Sequence, residues 1–162
     1  MSDVMAKEIR LQYDKAFATI RGIAEAFPED KWREPHGDDF YVPCRVIYHL
    51  AAFIDQQIAG GFQDPDFAAK LPFGPWQQED PKALPGKEEM IAYFDEVTGR
   101  AREALAALDD ESFSEALEPQ RARLGECRMG AYIYFVRELS AHTGELNKML
   151  VDDGEQDIWI FR

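Results

Sequence analysis

An all-α four-helix bundle is the fold class this sequence predicts, and three observations carry it. Four long segments repeat apolar residues at steps of three and four. No segment shows the strict alternation of a half-buried strand. One long, proline-broken connection joins the second helical segment to the third. With 162 residues, 46% of them hydrophobic, the chain is expected to fold as a single domain over residues 1–162 around a sizeable core.

The first segment runs from about Asp3 to Phe27, where Ile9, Tyr13, Phe17, Ile20, Ala24 and Phe27 share one helical face and Pro28 stops the helix. Glu29 to Tyr41, with Trp32, Pro35 and the turn-forming His36-Gly37-Asp38-Asp39, reads as an irregular connection that leaves His36 exposed. Pro43 opens the second helix, because a first-turn residue does not need its N–H. Val46, Ile47, Leu50, Phe53, Ile54 and Ile58 form its apolar face and Gly60-Gly61 ends it. His49 lies at the margin of that face beside Val46 and Phe53, placed to look inward.

Between Gly60 and Gly86 stand Pro65, Pro72, Pro75, Pro81 and Pro85, interleaved with Phe62, Phe67, Phe73 and Trp76. That composition is too aromatic for a disordered linker and too broken for a long helix, so an ordered crossover is expected. An extended chain advances about 3.3 Å per residue against about 1.5 Å in a helix, so this segment can run the length of a helix and free helix three from being antiparallel to helix two. A crossed order of helix directions follows. The latter half of the crossover is then expected to wall a cleft beside His49.

Helix three, about Lys87 to Leu108, gathers Met90, Phe94, Val97, Ala101, Ala104, Leu105 and Leu108 on one face. Asp109-Asp110 opens a weaker stretch through Pro119, with a helical turn around Glu111 to Ala116. The fourth long helix spans about Arg128 to Val151. The apolar tail Ile158-Trp159-Ile160-Phe161 must pack on the bundle or on a second subunit, since four exposed large apolar side chains invite aggregation.

The formal charge of -13, from 31 acidic and 18 basic residues, argues against nucleic acid and anionic membrane surfaces as partners, since both need clustered Lys and Arg. The first ten residues lack the apolar core of a signal peptide, and no uncharged apolar run approaches the roughly 18 residues of a membrane span. A soluble cytoplasmic protein is the expectation. Cys44 and Cys127 are too few for a disulfide framework and are expected as reduced thiols, and Cys44 has no activating base at a suitable spacing to make it a nucleophile.

The residues that ask for chemistry are His49, Glu138 and His142. At about 100° per residue, Glu138 and His142 lie about 40° apart on an arc shared with Ala131, Phe135, Leu139, Leu146 and Met149. A carboxylate on such a stripe must be protonated, paired, hydrated in a cleft or bound to a cation, because burying it alone costs several kcal/mol. Residues four apart stack on one face, so Glu138 and His142 can reach a common point, and His49 from another helix would complete a three-ligand divalent-metal site with a position left for water or substrate. The nitrogen-plus-oxygen set admits Zn(II), Ni(II), Fe(II) or Mn(II). The competing reading is a set of satisfied core residues, with Glu138 hydrogen-bonded to His49 or Tyr134. Glu145, at nearly the angle of Glu138, is either a base or orienting group behind the site or a solvated glutamate. Tyr134 is either a proton donor or a packing residue.

Three regions carry a resemblance. Phe27-Pro28-Glu29-Asp30-Lys31-Trp32 followed by Val42-Pro43-Cys44-Arg45-Val46-Ile47-Tyr48-His49-Leu50-Ala51 resembles the second-helix signature of the DinB/YfiT-like superfamily. Glu138-Leu139-Ser140-Ala141-His142-Thr143-Gly144-Glu145-Leu146 is similar to its last-helix motif, and Pro85-Gly86-Lys87-Glu88-Glu89-Met90 to the start of its third helix. The resemblance implies a four-helix bundle with a long crossover between helices two and three, a three-histidine divalent-metal site and a homodimer. It implies as activities thiol-dependent S-transfer with bacillithiol, mycothiol or glutathione, or maleylpyruvate isomerisation. His49 matches the first ligand and His142 the last, while Glu138 stands where the family usually has the middle histidine. A carboxylate there lowers the Lewis acidity of a bound ion and favours harder metals. The expected function is therefore metal-dependent S-transfer or hydrolysis on a small molecule, using a low-molecular-weight thiol. The alternative is a metal-free bundle that serves as a stress-related binding or dimerisation protein.

Overall fold

The period of three and four folds as expected, but the ends of the helices are set by contacts that periodicity does not show. The computed structural model describes residues 3–38, 40–60, 64–77 and 80–160. Among these, all regular elements are helical: α1 (Val4–Ala26), α2 (Pro43–Gln57), α3 (Lys87–Ala106), α4 (Asp110–Ser114) and α5 (Arg128–Asp152), with 3-10 turns at Phe67–Lys70, Pro81–Ala83 and Pro119–Leu124.

Asp3 does not cap α1 with its side chain. Instead the Ala6 N–H donates to Asp110 Oδ1 at 2.8 Å, so α4 satisfies a first-turn donor of α1. At the other end the Lys87 ammonium donates to the carbonyls of Glu25 and Phe27, placing a cation where the α1 dipole is negative. α4 starts one residue earlier than the sequence suggests because Asp109 Oδ1 accepts the Ser112 N–H and caps it. Before α5, Gly125 passes so close to Gly130 that an added Cβ would lie 2.8 Å from the Gly130 Cα, so only glycine lets the chain turn into the helix there.

α2 packs against α3 and α5, while α1 packs against α3 and α5. The four long helices share one core, in which Tyr13, Phe17, Trp32, Tyr48, Phe94 and Phe135 are almost wholly buried. Each such apolar side chain contributes about 1.5–3 kcal/mol from burial. α2 is covered on more sides than its apolar face predicts, with Cys44, Arg45, Tyr48, Ala51 and Asp55 also buried. The two irregular connections explain this. Trp32 O accepts the Cys44 N–H, and the Tyr48 hydroxyl donates to Gly74 O while accepting the Phe73 N–H. Residues 64–77 are thereby fastened along α2.

Two expectations change. His36 is not an exposed loop residue: its side chain is 12% accessible, with Nε2 3.1 Å from Asp153 Oδ2 and Nδ1 3.1 Å from Glu34 O, because the first connection folds back onto the end of α5. In the tail, Asn147 binds Ile158 through both backbone groups and Thr19 Oγ1 accepts the Ile160 N–H, which seats this strip on α1 and α5. Trp159 stays 45% exposed, while Phe161, like Asp39, Gly61 and Phe62, lies outside the described residues. No described helix is long and apolar enough to cross a membrane.

Candidate metal centre

The packing of α2 on α5 brings His49 and His142 together. Their rings meet edge to face, with centroids 4.9 Å apart at 83°. His142 stands between two carboxylates of its own helix, as the helical period requires. Glu145, three residues on, places Oε2 2.6 Å from His142 Nδ1. Glu138, four residues back, places Oε2 3.8 Å from His142 Nε2. One turn earlier stands Tyr134, and the Glu138 carboxylate beside its hydroxyl, ahead of burial, raises the phenol's pKa. Tyr134, Glu138, His142 and Glu145 thus form a polar ladder along α5. The stripe they share is otherwise core, since Ala131, Phe135, Leu139, Leu146 and Met149 are all buried.

The pairings constrain the protons. An ionised Glu145 only accepts, so Nδ1 of His142 carries a hydrogen, and Nε2 faces Glu138 with a lone pair in the neutral ring and with an N–H in the imidazolium. At 3.8 Å that second gap is too long for a hydrogen bond. His49 differs. Burial first, and the neighbouring His142 second, push its pKa down from 6.5 to about 4, against the opposing pull of Glu138. It is neutral at neutral pH, and neither ring nitrogen has a hydrogen-bond partner among the described residues.

The wall beside His49 comes from both halves of the connection, Phe67, Ala68 and Leu71 from the first and Pro75, Trp76 and Gln77 from the latter, where the sequence led us to expect the latter half alone. The Trp76 ring lies 4.3 Å from the His49 ring, Phe53 flanks it at 6.5 Å, and a cavity of about 180 Å³ opens against His49. Sequence reasoning missed Trp76 and Gln56 as site residues. A signal for Gln56 was present, because Ala52, Phe53 and Gln56 follow His49 by three, four and seven residues and so share its side of α2. Trp76 had no such signal, since its placement depends on how an irregular segment is fastened. Cys44 is buried with its thiol pushed up to about 11, chiefly by desolvation, which removes it as a nucleophile at neutral pH.

The donor set was tested for fit to a divalent ion. Two bonds of about 2.1 Å to one ion can span a gap of 3.8 Å, so His142 Nε2 and Glu138 Oε2 are compatible with a shared cation. His142 is already oriented through Nδ1 by a carboxylate, as metal-binding histidines usually are, and His49 offers unpartnered nitrogens beside it. Among the described residues, no group of three His, Cys, Asp or Glu side chains is arranged to hold a metal ion as it stands.

Fold and site together define a class: a helical bundle in which a histidine of one helix faces a Glu-x-x-x-His pair of another. The chain belongs to the DinB superfamily, whose family model matches residues 12–145, a span that includes His49, Tyr134, Glu138, His142 and Glu145. Comparison with curated proteins finds no match.

Proposed function

We propose that this DinB-superfamily chain is a metal-dependent enzyme in which His49, Glu138 and His142 hold one divalent ion, of Zn, Ni, Fe or Mn. The observation that carries this reading is the gap between His142 Nε2 and Glu138 Oε2. With Nδ1 bonded to Glu145, His142 Nε2 and the Glu138 carboxylate face each other across 3.8 Å with neutral His49 alongside, a gap that one ion bonded to both would bridge. In this reading the four long helices form the DinB/YfiT-type bundle and residues between α2 and α3 are its crossover.

When bound, the ion would supply Lewis-acid activation of water or of a low-molecular-weight thiol. The chain's own residues do the rest. Glu145 holds the proton on His142 Nδ1 and fixes the ring, so it is a positioning residue. Tyr134, one turn before Glu138 on α5, is the candidate proton donor. Trp76 and Phe53 exclude water from the far side of His49. The reactions that suit these parts are thiol-dependent S-transfer and hydrolysis of a small molecule. A reduced cytoplasmic setting and a homodimer belong to the same reading.

The test is metal content. Protein purified without a histidine tag, stripped with chelator and reconstituted with each of the four ions should take up about one equivalent of one of them, and His49→Ala and His142→Ala should each lose it. Failure of every ion to bind would refute the enzyme reading and leave a metal-free binding or dimerisation bundle.

A further inference from the structure

We propose that the cavity beside His49 is a binding site for an uncharged, single-ring aromatic group, which makes small neutral aromatic compounds the ligand class of this protein. The proposal rests on the metal reading for what is done to the ligand, and not for the binding itself.

Size sets the first limit. The cavity measures about 180 Å³, and an apolar cavity of about 150 Å³ holds a benzene molecule, so there is room for one substituted ring and not for two. Shape and surface set the second. The walls are Phe53, Phe67, Leu71 and Trp76, with the Trp76 and Phe53 rings placed to meet a guest ring in edge or offset contact. Polarity sets the third. No described lining residue is an Asp, Glu, Lys or Arg. Among the described lining residues an anionic group would shed its water with no Lys or Arg to receive it, and an ammonium would meet no carboxylate. The polar side chains His49, Gln56 and Gln77 instead suit an uncharged hydroxyl, carbonyl or thioether next to the ring. Because His49 also contacts His142, a substituent placed there stands at the candidate metal centre.

The experiment uses the full chain stripped of metal, so that its result does not depend on whether any ion binds. Toluene, benzyl alcohol, benzoate and benzylammonium are titrated separately while ligand saturation transfer and the Trp76 indole N–H resonance are followed by NMR. The two neutral probes should saturate and shift Trp76, and the two charged ones should bind about tenfold more weakly or worse, since burying an unpaired charge costs more than 1.4 kcal/mol. Ala52→Leu fills the cavity from α2, and Ala68→Phe fills it from an exposed position of the 3-10 turn that lies outside the core. Each folded variant, checked by circular dichroism and thermal unfolding, should lose about tenfold in affinity for toluene. Absence of saturable binding by the neutral probes, equal or tighter binding of a charged probe, or toluene affinity unchanged in a folded filling variant would each overturn the proposal. A protein that binds toluene but no metal would retain this site and lose only the enzyme reading.

Discussion

Lowering the pH of metal-free protein should destabilise it through His49 in particular. In the unfolded chain a histidine titrates near 6.5, whereas in the fold burial and the adjacent His142 hold His49 down to about 4. Between these values the unfolded state binds a proton that the folded state refuses, so stability rises with pH across the window and is lost as pH falls from 6.5 toward 4. A tenfold change in proton affinity is 1.36 kcal/mol, so the full difference corresponds to about 3 kcal/mol, a large share of the 5–15 kcal/mol typical of a domain. Urea unfolding at pH 7 and pH 4.5 should show most of that loss in the parent, and a clearly flatter response in His49→Phe, which keeps an aromatic ring between Trp76 and Phe53. Comparing the two proteins cancels the acid titration of the carboxylates they share. Proton NMR of the His49 ring supplies the direct value, and Glu138→Gln should lower it further, because that carboxylate favours the imidazolium. A His49 midpoint at 6 or above, or parallel acid responses of parent and variant, would refute the reasoning.

Three further outcomes follow from contacts elsewhere. Glu145→Gln should reduce metal affinity about 10–100-fold and let the His142 tautomers mix, as read by nitrogen-15 NMR of the ring, because the bond that fixes Nδ1–H is weakened. Asp55→Ala should cost about 2 kcal/mol and lower Tm by about 5 °C, since buried Asp55 accepts from both the Tyr93 hydroxyl and the Arg100 guanidinium. Asn147→Ala should cost about 1–2 kcal/mol in urea unfolding and speed hydrogen exchange at Ile158 and Ile160, because the amide that grips Ile158 from both sides is gone.

The long helices were legible because their cores repeat at the helical period, and Pro28 and Pro43 mark boundaries chemically. The pairing of Glu138 with His142 was legible for the same reason, since a spacing of four puts both on one face whatever packs against them. What could not be read is whatever depends on non-helical backbone. Trp76 reaches His49 because Tyr48 anchors Gly74 and Phe73, and no periodicity encodes that bond. His36 looked exposed because its partner, Asp153, is remote in sequence and meets it only when the first connection folds back on α5. Glu145 lay between two readings until its distance to Nδ1 placed it on the histidine.

Charge gives the strongest reason to expect a cation at this site. Glu138 and Glu145 are each about one-third exposed at the side chain, and among the described residues the ion pairs of both are with His142, which is 14% exposed. Two carboxylates share one imidazole that carries at most a single positive charge, and neutral His49 adds none. A net negative charge therefore sits on this stretch of α5 in a chain that already carries -13. A three-histidine set would place no such demand on its surroundings, because neutral ligands need no counter-charge when the ion is absent. Glu138→His should accordingly separate two properties that rise together in most metal sites. It should stabilise the metal-free protein by relieving the repulsion, and it should shift preference toward Zn and Ni by replacing an oxygen donor with nitrogen. If Glu138→His left both the apo stability and the order of metal preference unchanged, the carboxylate would be a solvated bystander and the charge argument would fail.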